Sequence, residues 1–209
     1  MRDRDARSDI PGYAEKLAKF GCSPEKAKAA KRDISKYECY LEYHIEQGDK
    51  LDHTGIDVGV VSGIVSIIDY KVTAKGMSNH AGTTMMANRK DALVGMAKLI
   101  VAAEERVKEL NDTLVFTVGK ISVSPGQENV IPGQAVANFE MRHMDKAVTD
   151  QFYADIQALA KEIPNCEFEF VNTGAKYSTP CDPRLIKLID DVCTEKGNQP
   201  YHHAKWCRS

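Results

Sequence analysis

The first residues that could do chemistry surround His44, where residues 42–48 read EYHIEQG. Imidazole is a preferred zinc ligand, and here it is followed by a carboxylate, an amide and a glycine at which the chain can turn. The alternative is an interfacial histidine with ordinary polar neighbours, because a dedicated metal site needs three or four ligands. The spacing leaves both interpretations open.

A second histidine, His80, lies in a loop of small and hydroxylated residues, GMSNHAGTT at positions 76–84. The two glycines allow the backbone to approach a ligand closely, and a neutral or protonated imidazole there could donate a hydrogen bond to a developing oxyanion. The alternative is a polar loop that caps a helix beginning near Asn88, with Thr84 or Asn88 as the cap.

A third pair of candidates is Asn129, directly before VIPG at 130–133, and Arg142, at the end of a predicted strand. An arginine on the polar face of a strand can bind a carboxylate with two parallel hydrogen bonds. A solvated charge at the strand end is the alternative. The neighbouring His202 and His203 could chelate a metal adventitiously, but a solvated pair is the favoured interpretation.

Composition and missing motifs exclude several classes of protein. The 28 basic and 30 acidic residues give a net charge of −2, which argues against nucleic-acid and membrane-surface partners. The chain has no phosphate-binding loop, nucleophile elbow or dinucleotide fingerprint, so nucleotide hydrolases, serine hydrolases and dinucleotide-dependent enzymes have no support. No apolar run is long enough to span a membrane, and the charged start has no secretory signal. We therefore expect a cytoplasmic protein whose six cysteines are reduced structural thiols.

The middle third of the chain contains the elements that would position these residues. Alternating apolar and polar residues predict strands, and apolar residues at helical spacing predict helices. The resulting order is a strand at 68–75, a helix at 92–107, strands at 114–118 and 135–141, a helix at 148–163 and a strand at 166–170. This β-α-β-β-α-β order predicts an α/β (α+β) fold, a ferredoxin-like two-layer sandwich with both helices on one sheet face.

The flanking segments carry further predicted elements. Alternation over 39–43 predicts a strand that ends at His44, and helices are predicted at 13–20, after Ser23 and after Asp182. Segments 1–60 and 178–209 resemble two pieces of one incomplete domain, into which residues 61–177 are inserted.

Several motifs together resemble one family of enzymes. The motifs are HIEQG at 44–48, GVVSGI at 59–64, HAGTT at 80–84, RKDAL at 89–93 and NVIPG at 129–133, followed by Arg142. Their order and spacing resemble the group of allantoate amidohydrolase, N-carbamoyl-L-amino-acid hydrolase and β-ureidopropionase. This group belongs to the dinuclear zinc peptidase superfamily, with aminoacylase and carboxypeptidase G. The likeness extends from about residue 3 to residue 196.

The resemblance implies a function and a role for each candidate residue. Members hydrolyse ureido (N-carbamoyl) compounds to ammonia, carbon dioxide and an amino acid or its analogue, with two zinc or manganese ions that activate a water. His44 would be a metal ligand, Gln47 would contact the substrate, and Asn129 and Arg142 would hold its carboxylate. His80 would stabilise the oxyanion, reaching the neighbouring subunit's site. Residues 61–177 would be a lid through which the protein forms a homodimer.

Departures from the family pattern limit what we expect of this chain by itself. Family members are about twice as long, most of their metal ligands are expected outside this sequence, and Met85 stands where proline is usual. We therefore expect the isolated chain to be inactive and to bind none of the ions. The alternatives are a non-catalytic dimerisation module derived from such an enzyme and a relative in the aminoacylase or dipeptidase branch. The sequence does not select the ureido substrate, or zinc over manganese.

Overall fold

The computed structural model describes residues 11–205, and the chain divides into two compact units with the boundary between Ile45 and Glu46. The first unit contains helices α1 (Tyr13–Ala18) and α2 (Pro24–Ala29) and a short 3-10 turn at Ile34–Lys36. The Ser23 hydroxyl accepts a hydrogen bond from the Lys26 amide, as predicted for a helix cap. Gly21, with φ of 66°, follows α1 where the sequence predicts its end.

The predicted strand over residues 39–43 is wrong. Residues 39–46 have no regular secondary structure, and residues 37–45 are all exposed, including a fully exposed Tyr43. A strand requires a hydrogen-bonded neighbour and a surface to cover with its apolar face. Among residues 11–45 the structure contains no strand and no buried side chain. Within this unit, residues 39–43 therefore have no strand to pair with and no apolar surface to cover.

The second unit contains most of the regular structure. In chain order its elements are α3 (Lys50–Thr54), β1 (Gly59–Ile64), β2 (Ser66–Lys75), β3 (Asn79–His80), α4 (Ala92–Leu110), β4 (Val115–Ser124), β5 (Val130–Ile131), β6 (Gln134–His143), α5 (Lys146–Glu162), β7 (Glu167–Lys176), β8 (Thr179–Pro180), α6 (Pro183–Glu195) and β9 (Tyr201–Lys205). No helix within residues 11–205 is long and apolar enough to cross a membrane.

Four long strands form one antiparallel sheet in the order β4-β6-β2-β7. Helices α4 and α5 pack against this sheet and against each other, which confirms the predicted α+β architecture. Alternate residues of β6 are buried against the helices, as predicted: Ala135, Ala137, Phe139 and Met141. The Phe116 ring meets Phe139 and Phe152 edge-on, with centroids 5.2 and 5.3 Å away. We call this assembly, residues 66–176, the sandwich.

Helix α4 begins at Ala92, where its apolar stripe begins in the sequence, and not near Asn88. Its cap is Asp91, whose carboxylate accepts hydrogen bonds from the amides of Leu93 (3.0 Å) and Val94 (3.1 Å). Residues 86–88 form a separate 3-10 turn, and Arg89 is extended with ψ of 135°. The prediction that Thr84 or Asn88 caps this helix is therefore wrong. The loop at 76–90 is left as an independent structure before the helix.

A smaller sheet has the order β8-β1-β9, in which β1 is parallel to β9 and antiparallel to β8. It brings part of the segment before the sandwich together with part of the segment after it. The predicted domain boundaries, between residues 60 and 61 and between residues 177 and 178, stay a prediction. Helix α6 begins at the predicted cap, Asp182, which accepts from the Arg184 amide at 2.8 Å, and Gly197 follows it with φ of 79°.

Candidate functional site

Two short strands bring His80 and Asn129 next to each other. Strand β3 pairs antiparallel with β5, with His80 opposite Val130, and the Ala81 amide donates to the Asn129 carbonyl at 2.9 Å. Both His80 and Asn129 are exposed. Two loops that are far apart in sequence therefore present an imidazole and a carboxamide at one surface, and we call residues 76–90 the His80 loop.

Close backbone contacts hold the two loops together. The Gly76 amide donates to the Gly133 carbonyl (2.8 Å), and the Met77 amide donates to the Lys90 carbonyl (2.7 Å). A Cβ at Gly76 would lie 2.1 Å from the Lys90 carbonyl oxygen, and one at Gly133 would lie 2.4 Å from the Ser78 hydroxyl. Both positions therefore require glycine for a physical reason. A side chain at Gly76 would part the two ends of the His80 loop, and one at Gly133 would separate that loop from the loop that carries Asn129.

Three side chains in the His80 loop fix its shape. The Thr84 hydroxyl donates to the His80 carbonyl (2.8 Å), and the Gly82 amide donates to Nδ1 of the His80 ring (3.0 Å). The half-buried Arg89 donates from Nη2 to the Ala81 carbonyl (2.6 Å) and from Nε to the Thr84 carbonyl (3.1 Å). Sequence reasoning gave Gly82 only the role of letting the backbone approach a ligand, and it gave Arg89 no role. The signal that could have indicated a role for Arg89 is its position shortly after a loop of small residues, whose backbone carbonyls can accept hydrogen bonds from a guanidinium.

Arg142 lies at the other end of the sandwich from His80 and Asn129. Strand β6 begins at Gln134, beside the His80 loop, and Arg142 is eight residues further along it, roughly 27 Å at the usual rise of a strand. Its Nε and Nη2 both donate to one oxygen of Glu140, and the two side chains are 24% and 28% exposed. The structure therefore does not bring Arg142 to the other two candidates within one chain.

The open face of the sheet, opposite the helices, is largely polar. A shallow concave surface on it is lined mainly by polar side chains of all four strands. The lining residues are Asp69, Thr117, Gly119, Lys120, Asn138, Phe139, Glu140 and Thr173. At one end of this face, the Lys75 ammonium pairs with Glu169 at 2.7 Å, which raises the pKa of Lys75 and lowers that of Glu169.

In the first unit, His44 is exposed and its Nδ1 faces the Ile45 carbonyl oxygen. A carbonyl oxygen only accepts, so Nδ1 carries the proton of the neutral ring and Nε2 keeps its lone pair. That state is compatible with metal ligation through Nε2. The histidine is thus chemically able to be one ligand.

In the second unit, Gln47 is exposed and has a left-handed backbone, with φ of 60°. Beside it, the Glu46 carboxylate accepts hydrogen bonds from the amides of Lys50 and Leu51, both at 3.1 Å. The carboxylate that sequence reasoning placed in a possible metal-ligand turn therefore caps helix α3. A search of the motif for metal ligands alone does not reveal that a carboxylate caps a helix four residues later.

The described residues do not fit a dinuclear metal centre. Within residues 11–205 as described, no three His, Cys, Asp or Glu side chains lie together so that they could hold a metal ion. The His202 ring lies 3.1 Å from the Asp190 carboxylate, and the interpretation of His202 and His203 as a solvated pair stays a prediction. The side chain of His203 lies outside the described residues. We therefore assign no metal-dependent step to this chain by itself.

Comparison with known proteins agrees with the resemblance seen in the sequence. Residues 62–165 match the peptidase dimerisation domain family. The chain is 37% identical to allantoate amidohydrolase of Escherichia coli over 172 residues, which is 80% of this chain and 42% of that protein. It is 36% identical to N-carbamoyl-L-amino acid amidohydrolase of Geobacillus stearothermophilus over 191 residues, 90% of this chain and 46% of that protein.

The fold is also similar to solved structures. An amidase of the hydantoinase/carbamoylase family from Burkholderia phymatum superposes with a TM-score of 0.77 at 30% identity, over 85% of this chain and 45% of that one. The chain spans less than half the length of these curated relatives. The predicted resemblance is confirmed: through residues 62–165 the chain belongs to the peptidase dimerisation domain family, as a relative of the allantoate and N-carbamoyl-L-amino-acid amidohydrolases.

Proposed function

We propose that this chain provides the lid and adjoining segments of an amidohydrolase that cleaves ureido (N-carbamoyl) compounds such as N-carbamoyl-L-amino acids or allantoate. The products would be ammonia, carbon dioxide and the free amino compound. The observation that carries the proposal is the pairing of β3 with β5, which places His80 beside Asn129 in a chain related to enzymes of these names. The complete enzyme would use two divalent ions, zinc or manganese, and work in the cytoplasm.

Each candidate residue has a role that its chemistry allows. His80 would donate a hydrogen bond to the oxyanion that forms when the ureido carbonyl is attacked, an interaction that lowers the barrier in a water-poor site. Asn129 and Arg142 would hold the substrate carboxylate, and Gln47 would contact the substrate. His44 would supply one metal ligand. The residues of this chain would thus bind and orient the substrate, stabilise the oxyanion and supply one metal ligand. The ions would supply the activated water in the complete enzyme.

The separation of Arg142 from Asn129 supports a site shared by two chains. Both are assigned to one substrate carboxylate. Arg142 lies near the end of the ten-residue strand β6, whereas Asn129 lies in the loop before the start of that strand. One small molecule cannot bridge a distance of roughly 27 Å, so Asn129 and His80 would act on the substrate held by Arg142 of a second copy. This requires a homodimer formed through the lid.

The edge strand β4 is a suitable surface for that homodimer. It is one of the two edge strands of the sheet, with β7 at the other edge, and it exposes Val115 (43%) and Ile121 (46%). An exposed edge strand with apolar side chains is a template for pairing with another strand. A second copy would complete the sheet edge to edge and bury these residues.

The second candidate function is a non-catalytic dimerisation or interaction module derived from such an enzyme. It is favoured by the finding that no three metal-ligating side chains lie together within residues 11–205 as described. Metal analysis of the purified chain distinguishes the two, since a module of this kind would bind no stoichiometric pair of ions. Gel filtration does not, because both predict a dimer.

A chimera tests the proposed function directly. Residues 62–165 would replace the matching segment of the Escherichia coli allantoate amidohydrolase, which would supply the rest of the enzyme. We expect ammonia release from allantoate, and a loss of about 100-fold to 1,000-fold in kcat when His80→Ala removes the oxyanion donor. The control is Lys90→Ala, which changes an exposed side chain at the end of the same loop and should keep the parent rate. A folded, metal-loaded chimera in which His80→Ala has no effect would contradict the assigned role.

The isolated 209-residue chain should release no ammonia from allantoate or N-carbamoyl-L-amino acids, even with added zinc or manganese. Metal affinity depends on the full ligand count and geometry, and His44 alone cannot provide it. Turnover at ordinary enzyme rates would refute this expectation.

A further inference from the structure

The hydrogen bonds of the His80 ring determine where its proton lies. Nδ1 accepts the Gly82 amide proton at 3.0 Å, and a ring nitrogen that accepts a hydrogen bond carries no proton of its own. The neutral ring must therefore hold its proton on Nε2. The opposite state, with the proton on Nδ1, would bring two N–H groups face to face.

Glycine at position 82 allows this contact. A Cβ there would lie 3.0 Å from Cε1 and 3.4 Å from Nδ1 of the His80 ring, closer than a side-chain carbon normally approaches. The backbone of Gly82 is not in the left-handed region, so an alanine would be tolerated by the main chain and would push the ring away. Position 82 thus favours glycine, because a side chain there would require the His80 ring to shift by a few tenths of an ångström.

Arg89 holds the turn that carries the Gly82 amide. Its planar guanidinium donates to the carbonyls of Ala81 and Thr84, which flank Gly82 and Thr83. A single rigid group thereby fixes both ends of the turn, while the Thr84 hydroxyl ties the turn back to the His80 carbonyl. A lysine is a point donor on a flexible stem and cannot hold two carbonyls in one fixed geometry.

We infer that Gly82 and Arg89 are positioning residues that select one tautomer of the neutral His80 ring, the one with its proton on Nε2. The loop then presents a hydrogen-bond donor, and Nε2 has no lone pair with which to bind a metal ion or accept a proton from water. Only the identity of the acceptor, a substrate oxyanion, rests on the proposed function. His44 is in the opposite state, with its proton on Nδ1 facing the Ile45 carbonyl and a lone pair on Nε2.

Nuclear magnetic resonance of the ¹⁵N-labelled full chain tests this inference. At about pH 8, where an ordinary imidazole is neutral, we expect a scalar coupling across the hydrogen bond between the residue 82 amide nitrogen and His80 Nδ1. The ¹⁵N shifts should identify Nε2 as the protonated nitrogen. Both Arg89→Lys and Gly82→Ala should abolish the coupling, and Arg89→Lys should speed amide hydrogen exchange at Gly82 about tenfold.

Two variants serve as matched controls. Lys90→Ala removes a positive charge from the exposed residue next to Arg89, and Gly119→Ala adds a methyl group where nothing lies within 4 Å. Both should keep the coupling. A merely structural role of Arg89 would change stability without changing the protonated nitrogen of His80.

The inference is overturned if His80 carries its proton on Nδ1 in the parent chain. It is also overturned if folded Arg89→Lys and Gly82→Ala both retain the coupling. No substrate is present in these measurements, so their failure leaves the proposed function standing. An inactive, folded chimera would overturn that function and leave the state of His80 unaffected.

Discussion

Two segments of this chain have the same apolar–polar alternation and different structures. In residues 39–45 every side chain is exposed and the backbone forms no strand. In residues 135–141, on strand β6, alternate side chains are buried and both strand edges are paired. The comparison shows that alternation becomes a strand only where neighbouring strands satisfy its backbone and a second layer covers its apolar face.

The same contrast extends to the helices. Helices α1 and α2 of the first unit contain no buried residue, whereas α4 buries six and α5 buries four. Caps occur in both regions, at Ser23 and at Asp91, with the same side-chain-to-amide hydrogen bonds. Local signals are therefore equally good in the two regions, and burial is what separates them.

The largest expected effect tests that difference in burial. Phe152→Ala should lower the free energy of unfolding of the sandwich by about 3–5 kcal/mol, because the ring is fully buried and meets Phe116 edge-on. Tyr43→Ala removes an aromatic ring that is fully exposed and should change the free energy by less than about 0.5 kcal/mol. Urea unfolding followed by circular dichroism measures both. Equal losses in the two variants would show that Tyr43 is packed in solution.

These regions also explain which parts of the fold the sequence could predict. Every long element of the sandwich was predicted, because its strands and helices find their partners within residues 66–176. The helix starts at Ser23 and Asp182 were predicted because a cap is a local interaction. The strand at 39–43 was predicted wrongly, since alternation contains no information about whether a pairing strand is present.

The candidate site was predictable only in its chemical groups. His80 and Asn129 could be selected by type and loop context, but their adjacency depends on the pairing of β3 with β5, two two-residue strands with no periodic signal. Arg142 could be selected as well, yet its separation from them follows from the direction of β6. The state of the His80 ring depends on a contact with Gly82 that no spacing rule predicts.

A smaller effect compares the two helix caps. Asp91→Ala removes two hydrogen bonds to the first turn of the buried helix α4 and should destabilise the sandwich by about 1 kcal/mol. Asp91→Asn keeps a capping oxygen and should cost much less. Ser23→Ala removes the equivalent bond from α2, whose residues are not buried, and should leave the unfolding of the sandwich unchanged. Thermal unfolding of the three variants makes the comparison, and a large effect of Ser23→Ala would contradict it.

The smallest effect concerns two carboxylates whose pKa values are lowered for different reasons. The Lys75 ammonium on a neighbouring strand lowers the pKa of Glu169, whereas hydrogen bonds from Ser35, two residues along the chain, lower that of Asp33. A carboxyl group whose pKa is lower in the folded state stabilises the protein above its unfolded pKa. That contribution is lost as the pH falls through the folded value.

For Glu169, the pH range in which this stabilising contribution is lost therefore begins near its ordinary pKa of 4.5 and extends to lower pH. Glu169→Gln should flatten the pH dependence of sandwich stability in this range, and 1 M salt should reduce the difference, because both side chains are about half exposed and the pair is screened. Asp33→Asn should leave the pH dependence of the sandwich unchanged, since the partner of Asp33 is two residues away in the first unit and can form the same bonds locally. Denaturant unfolding between pH 3 and pH 7 distinguishes the cases. An equal change in both variants would mean that Asp33 contributes to the folding of the sandwich.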